Sequence, residues 1–110
     1  MLPKYRGLMP TFWALRNNEQ YTGVTVFIVD EGIDSGPIVE QHKVEIGKKT
    51  QRELILATKL IGVQLIEMAV NKIVNNELDL QENNADDATY FQYPTRKDVK
   101  IFYKNGKKFF

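Results

Sequence analysis

The sequence predicts an α/β chain, and three observations carry that prediction. Residues 24–29, Val-Thr-Val-Phe-Ile-Val, are almost wholly apolar and β-branched, which suits a strand buried on both faces. Residues 38–46 mix apolar and charged side chains and suit a second strand nearer a sheet edge. Residues 50–53, Thr-Gln-Arg-Glu, have the form of a capping box and open a long stretch with apolar residues at helical spacing.

With 110 residues and 43% hydrophobic side chains, the chain is one domain or part of one and can form a modest core. Fifteen basic and 14 acidic side chains leave a net charge of +1, so no global field recruits nucleic acid or an anionic membrane. There is no cysteine, which removes disulfides, thiolate nucleophiles and zinc–thiolate sites. The apolar runs are too short or too interrupted to span a bilayer, and the N-terminus lacks a signal-peptide pattern. A soluble, cytoplasmic protein without a membrane partner is the expectation.

Taken in order, residues 1–10 carry Pro3, Gly7 and Pro10 and read as an irregular loop. A short helix is expected from Pro10 or Thr11, because proline is favoured at a first helical position. Phe12, Trp13 and Leu15 face its core side, and Asn17-Asn18 is a plausible stop. Residues 21–23 turn the chain into the first strand.

The two strands are close enough in sequence to pair antiparallel, since a parallel return needs a crossover of about a dozen residues. Between them lies Asp30-Glu31-Gly32-Ile33-Asp34-Ser35-Gly36-Pro37, longer than the roughly 2–5 residues of most hairpin loops. A connection that only turns does not need this length, and Asp34 is its best candidate for chemistry. The competing reading is a solvated turn, because Gly, Asp and Ser are ordinary turn formers.

From Thr50 a helix of roughly 25 residues is expected, ending near Asn75-Asn76, where asparagine tolerates a left-handed cap. Leu54, Ile61, Leu65, Ile66, Ala69 and Ile73 form its apolar stripe. Ile55, Leu56, Leu60, Val63, Met68 and Val70 widen it beyond one contact face, so a second cover is expected. Gly62 costs about 1 kcal/mol in a helix interior, and close packing against another backbone is its expected purpose.

Residues 80–88 are polar and read as a surface linker. Residues 90–93 form an aromatic extended segment ahead of Pro94, because a residue before proline avoids the helical region. Thr95, with Asp98 three residues on, caps a last helix stopped by Gly106. Val99, Phe102 and Tyr103 supply its buried face, and Phe109 and Phe110 pack beyond it. Arg96, Lys97, Lys100, Lys104, Lys107 and Lys108 make this end basic. A solvated helix face is favoured over single-stranded nucleic-acid binding.

Metal chemistry finds no support. His42 is the only histidine, and Asp30, Glu31 and Asp34 do not follow the ligand spacing of an EF-hand. Gly32 and Gly36 are not followed by a helix, so a phosphate cradle is also unsupported.

Four separated motifs agree with one family: Leu2-Pro3-Lys4-Tyr5-Arg6-Gly7, then Pro10 with Trp13-Ala14-Leu15, then Thr22-Gly23-Val24-Thr25-Val26, then Asp34-Ser35-Gly36-Pro37-Ile38. In order and spacing they resemble the folate-dependent formyltransferases. That family includes glycinamide ribonucleotide transformylase, methionyl-tRNA formyltransferase and the sugar-nucleotide N-formyltransferases. The resemblance covers residues 2–75 and implies a Rossmann-like α/β domain, of which this chain matches the C-terminal half. It makes residues 1–80 that half-domain and residues 81–110 a linker with a short helical extension.

The resemblance further implies 10-formyltetrahydrofolate as co-substrate, without a metal, and a primary amine as acceptor. Asp34 matches the family's catalytic aspartate. The backbone of Val29, Asp30, Glu31, Gly32 and Ile33 lies where the family's loop binds the pteridine ring. Lys4 and Arg6 lie beside the cleft, where an acceptor phosphate contact and a role as loop-surface charges are equal readings. An amine attacking the formyl carbon gives a tetrahedral oxyanion, and its proton must reach the folate nitrogen. A carboxylate can orient a histidine that stabilises the oxyanion and can assist that proton transfer.

The family draws that histidine, and an asparagine, from an Asn-x-His-x-Ser segment just before Leu-Leu-Pro; here Met1 stands at the first of those leucines. His42 is no substitute by position. Little or no formyltransferase activity is therefore expected of this chain by itself, the competing reading being a noncatalytic folate-binding or interaction remnant. The first strand would lack its parallel neighbours, an edge that invites a homodimer or pairing with a separately encoded N-terminal half. Gly62 resembles the methionyl-tRNA and sugar-nucleotide branches. The chain closes at Phe110 with no space for a tRNA-binding domain, so a small-molecule amine such as an amino sugar nucleotide is the favoured acceptor.

Overall fold

An antiparallel hairpin with a long helix packed on it forms the body of the chain, and a second, very short parallel strand pair closes one end. The computed structural model describes residues 1–110. The elements run β1 (Arg6–Gly7), α1 (Pro10–Arg16), β2 (Tyr21–Phe27), β3 (Ile38–Glu45), α2 (Gln51–Val74), a 3₁₀ turn (Ala85–Asp87), β4 (Tyr90–Phe91) and α3 (Arg96–Lys104). This is the expected α/β order of short helix, strand pair around the Asp34 loop, long helix and final short helix. The β1–β4 pair was not foreseen.

β2 and β3 pair from Tyr21↔Glu45 to Val26↔Glu40, and the register then slips so that Phe27 faces Ile38. Such a bulge bends the strand and re-aims the chain beyond it, here the Asp34 loop. The first strand therefore ends at Phe27 rather than Val29. Nor is it buried on both faces: its residues from Gly23 onward are half-buried, and Val29 is 83% exposed. Strand composition gave the pairing partner correctly but overstated the cover.

α1 begins at Pro10 and is buried all round at Phe12, Trp13, Ala14 and Leu15. A seven-residue helix can be apolar on every side only if it is surrounded, and here Val44, Ile46, Leu54 and Phe102 complete the core around it. Phe12 stacks on Phe102 with ring centroids 5.1 Å apart, and Phe102 on Phe109 at 4.4 Å. Outside the core, Arg16 Nη2 lies 3.4 Å from Asp98 Oδ1, and Asn105 Nδ2 donates to Arg16 O at 2.9 Å, tying α3 to α1.

Both capping boxes form. Glu53 N donates to Thr50 Oγ1 while Thr50 N donates to Glu53 Oε1, each at 3.2 Å. Two further orphan amides of α2, on Gln51 and Arg52, donate to Lys108 O and Phe109 O at 2.8 and 3.0 Å, so the C-terminal tail completes the cap. α2 buries Leu54, Leu65 and Ala69, but Ile66 and Ile73, expected on the same stripe, are exposed. Leu56, Leu60, Val63 and Val70 are exposed as well, and nothing in the chain covers them. Gly62 is also corrected: a Cβ there would meet only Val24 Cγ1, at 3.6 Å, an ordinary side-chain contact rather than a backbone approach.

α3 buries Phe102 and half-buries Val99 and Ile101, whereas Tyr103 is 57% exposed and Phe110 lies in solvent, against expectation. No helix is long and apolar enough to cross a membrane.

Candidate functional site

Two segments distant in sequence, one around Gly7 and the other at Asn83, reach the loop of residues 28–37. The loop is closed at its base by Ile28 N donating to Pro37 O at 2.9 Å. Gly36 is required there, because a Cβ would stand 1.5 Å from Ile28 O. Within the loop the Asp30 carboxylate accepts from Gly32 N at 2.9 Å and from the Ser35 hydroxyl. Those donors, the Ser35 hydroxyl first, hold the Asp30 carboxyl below its ordinary value. The sequence placed Asp30 among ligand-facing residues; here its side chain also shapes the turn.

Val29, Asp30, Glu31, Gly32 and Ile33 are all exposed, Ile33 to 65%. Apart from the Gly32 N–H, their backbone donors and acceptors have no partner in the chain. Such a row of free amides and carbonyls is what the hydrogen-bonding edge of a planar heterocycle can use.

Asp34 differs from its neighbours. It is half-buried, with a left-handed backbone at φ 51°. Its Oδ2 accepts from Gly7 N at 2.9 Å, while its Oδ1 makes no hydrogen bond in the chain. One carboxylate oxygen is thus anchored and the other free. The carboxylate stands in a groove of about 150 Å³ that also takes in Leu2, Lys4, Tyr5, Thr25 and Phe27.

Lys4 is exposed beside this groove. Arg6 is not so placed. It is 1% exposed, and its guanidinium donates to Tyr90 OH at 2.8 Å and to Asn83 Oδ1 and O at 2.7 and 3.1 Å. Buried and engaged inside the fold, it is not presented to an acceptor phosphate. Tyr5 stacks on Phe91 at 5.2 Å, and burial, helped by Glu19, pushes its hydroxyl up to about 12 although the Asn17 amide pulls the other way.

Asn83 was missed, because residues 80–88 read as linker. Its Nδ2 donates to Asp34 O at 2.8 Å and Gly36 O at 2.9 Å. No local pattern announces such a residue; its partners lie 49 and 47 positions away.

Residues 1–70 match the family model described as formyl transferase. Among sequence relatives, methionyl-tRNA formyltransferase of Kosmotoga olearia is 39% identical across all of this chain and 36% of its own length. That of Thermodesulfovibrio yellowstonii is 36% identical over 98% of this chain and 35% of its own. Among solved structures, an N-formyltransferase from Helicobacter canadensis, in complex with folinic acid and dTDP-3-aminofucose, is 33% identical. It superposes with a TM-score of 0.78 over 88% of this chain and 35% of that one. The chain spans about a third of the length of the relatives it matches.

Proposed function

The chain belongs to the formyl transferase family, and from that premise we propose that residues 28–37 serve formyl transfer from 10-formyltetrahydrofolate to a primary amine, with Asp34 as the catalytic carboxylate. The observation that carries this reading is the asymmetric anchoring of Asp34 in the groove, one oxygen held by Gly7 and the other free. In the reaction the amine forms a bond to the formyl carbon, whose carbonyl becomes an oxyanion. Collapse breaks the bond to the folate nitrogen, and the proton from the amine goes to that nitrogen. The free Asp34 oxygen is the acceptor and relay for that proton, and its charge stabilises a cationic donor to the oxyanion.

The free backbone groups of residues 29–33 are assigned to the pteridine edge, and Lys4 to an acceptor phosphate. A small-molecule amine, an amino sugar nucleotide, fits the solved relative in complex with dTDP-3-aminofucose. The second reading, methionyl-tRNA as acceptor, is supported by the 39% identity that extends through residues 71–110. The oxyanion donors of the family's Asn-x-His-x-Ser segment do not occur among these residues. The exposed outer face of α2 and the free edge of β2 supply a surface for the part of the domain that carries it. The reaction is assigned to cytoplasmic one-carbon metabolism.

Tetrahydrofolate release tests the proposal, with 10-formyltetrahydrofolate and either a dTDP-amino sugar or methionyl-tRNA, in the presence of a polypeptide bearing the Asn-x-His-x-Ser segment. Turnover with the amino sugar that is lost in Asp34→Asn supports the first acceptor. Turnover with methionyl-tRNA alone moves the assignment to the second. Binding of 5-formyltetrahydrofolate with no turnover on either leaves the noncatalytic remnant.

A further inference from the structure

Asn83 uses both ends of its side-chain amide on the site. Nδ2 donates to Asp34 O at 2.8 Å and to Gly36 O at 2.9 Å, the carbonyls on either side of Ser35. Oδ1 and the Asn83 backbone carbonyl accept from Arg6 Nη2 at 2.7 and 3.1 Å. Arg6 is held in turn by Tyr90 OH and, through its own N–H, by Thr89 O at 2.8 Å. The residue after it, Gly7, gives its N–H to Asp34 Oδ2. The contacts close on themselves: Asp34 backbone, Asn83, Arg6, Gly7, Asp34 carboxylate.

We propose that Asn83 is a positioning residue for Asp34, fixing the left-handed backbone that turns the carboxylate onto the Gly7 amide. The chemistry of the amide explains the choice. Two carbonyls must be satisfied from one side, and among uncharged side chains only Asn and Gln carry two N–H bonds on one atom. A lysine or arginine in that place would put a cation against Arg6 and beside the Asp34 carboxylate. The amide's orientation is not free either. Arg6 has only donors, so Oδ1 must face it, which leaves Nδ2 facing the two carbonyls. Aspartate enters the left-handed region more readily than most residues but still at a cost relative to the right-handed one, so the surrounding bonds help to select it.

The catalytic consequence rests on the reading of Asp34 given above; the positioning itself does not. Asn83→Asp is the informative variant. It keeps the shape and the acceptor toward Arg6 but turns an oxygen toward the two carbonyls. In the 110-residue chain, amide hydrogen exchange followed in ¹H–¹⁵N spectra should show Asn83→Asp lowering the protection of Gly7 by at least about tenfold. The α2 amides should keep theirs. In the formyl-transfer assay kcat should fall about 100-fold, the cost of misplacing a reacting group by about 1 Å, with the KM for folate little changed.

Wild-type Gly7 protection in Asn83→Asp, or all amide protections falling together, would make Asn83 an ordinary stabilising contact and overturn the proposal. Loss of the Gly7 protection alone while neither Asn83→Asp nor Asp34→Asn changes turnover upholds the positioning and overturns the catalytic reading instead. Should Asn83→Asp fold poorly, Asn83→Gln offers the same groups one methylene further out. It must lower the Gly7 protection, and a protection equal to wild type counts against the proposal.

Discussion

The Gly7 N–H points at Asp34 Oδ2, 2.9 Å away, because Gly7 sits between Arg6 and Leu8, whose amides face the opposite way, toward the β4 segment. Arg6 N donates to Thr89 O at 2.8 Å and Leu8 N to Phe91 O at 3.0 Å; successive amides along a strand point to opposite sides, so the intervening one faces the loop. A two-residue parallel pairing is too short to add much stability. Its effect is to aim one backbone donor at one carboxylate.

Asp34→Asn is expected to separate structure from chemistry. Asparagine tolerates the left-handed backbone as well as aspartate does and still offers an oxygen to Gly7. The melting temperature should therefore move by less than about 4 °C, which is near 1 kcal/mol for a domain of this size. On the proposed reading, and with a polypeptide bearing the Asn-x-His-x-Ser segment present, formyl transfer should fall by about 10²- to 10⁴-fold in kcat, the range for losing a proton-transfer group. Equal rates for the two proteins would remove Asp34 from the reaction.

Gly7→Ala should act on the frame instead. The φ of Gly7 is +103°, and a Cβ would approach Phe91 O to 2.3 Å, so β1 and β4 must part. A cost of about 1–3 kcal/mol is expected, read as a lower urea midpoint at unchanged m. The Trp13 indole should report the change, because its Nε1 donates to Gln92 O at 3.0 Å, one residue beyond β4.

Legibility in the sequence tracks the range of the interactions involved. The starts of α2 and α3 were legible because each capping box closes within three residues, Thr50 with Glu53 and Thr95 with Asp98. The hairpin was legible because its strands adjoin in the chain. Asp34 stood out as a candidate from the length of its loop, and the agreement of four motifs gave it a specific expected role. Asn83 and the burial of Arg6 were not legible: their bonds span 77 residues, and that from Arg6 to Tyr90 spans 84. Two-residue strands have no periodicity to detect. Ile66 and Ile73 failed differently, since spacing defines an apolar face but not whether anything lies against it.

Asp98 makes stability depend on pH at the acid end. Its carboxyl is held below the ordinary 3.8 by hydrogen bonds from the Thr95 amide first and the Thr95 hydroxyl second, with Arg16 adding charge. A depressed folded-state value means that the contribution is complete above the unfolded value and is lost as pH falls through the folded one. The melting-temperature difference between wild type and Asp98→Asn should be constant above about pH 5 and should shrink toward zero as the carboxyl protonates. A difference that persists unchanged at the lowest pH would assign it to packing or to hydrogen bonds of the neutral side chain, because a protonated carboxyl carries no charge for the α3 dipole to act on.

Phe102→Ala should be the costliest single change in the core. The ring is fully buried between Phe12 and Phe109, and α3 has no other fully buried side chain to hold it on α1. Phenylalanine-to-alanine changes at such sites cost about 3–5 kcal/mol. That is a large fraction of the stability of a small domain, so denaturant unfolding should show α3 detaching or the whole chain melting early.

The outer face of α2 predicts the opposite sign. Leu60 and Val63 are 70% and 68% exposed, and they lie on a band with Leu56, Ile66 and Val70 that has no partner in the chain. Contiguous exposed apolar surface of this kind is unusual unless it is covered by another body. Replacing both residues with lysine should leave folding stability within about 0.5 kcal/mol, because no buried contact is lost. In sedimentation velocity the wild-type chain should associate with itself, or with a polypeptide bearing the Asn-x-His-x-Ser segment, and the double variant should do neither. A wild-type chain that sediments as a monomer and ignores that polypeptide would show that the band needs no cover, and the free edge of β2 would then have no role in assembly.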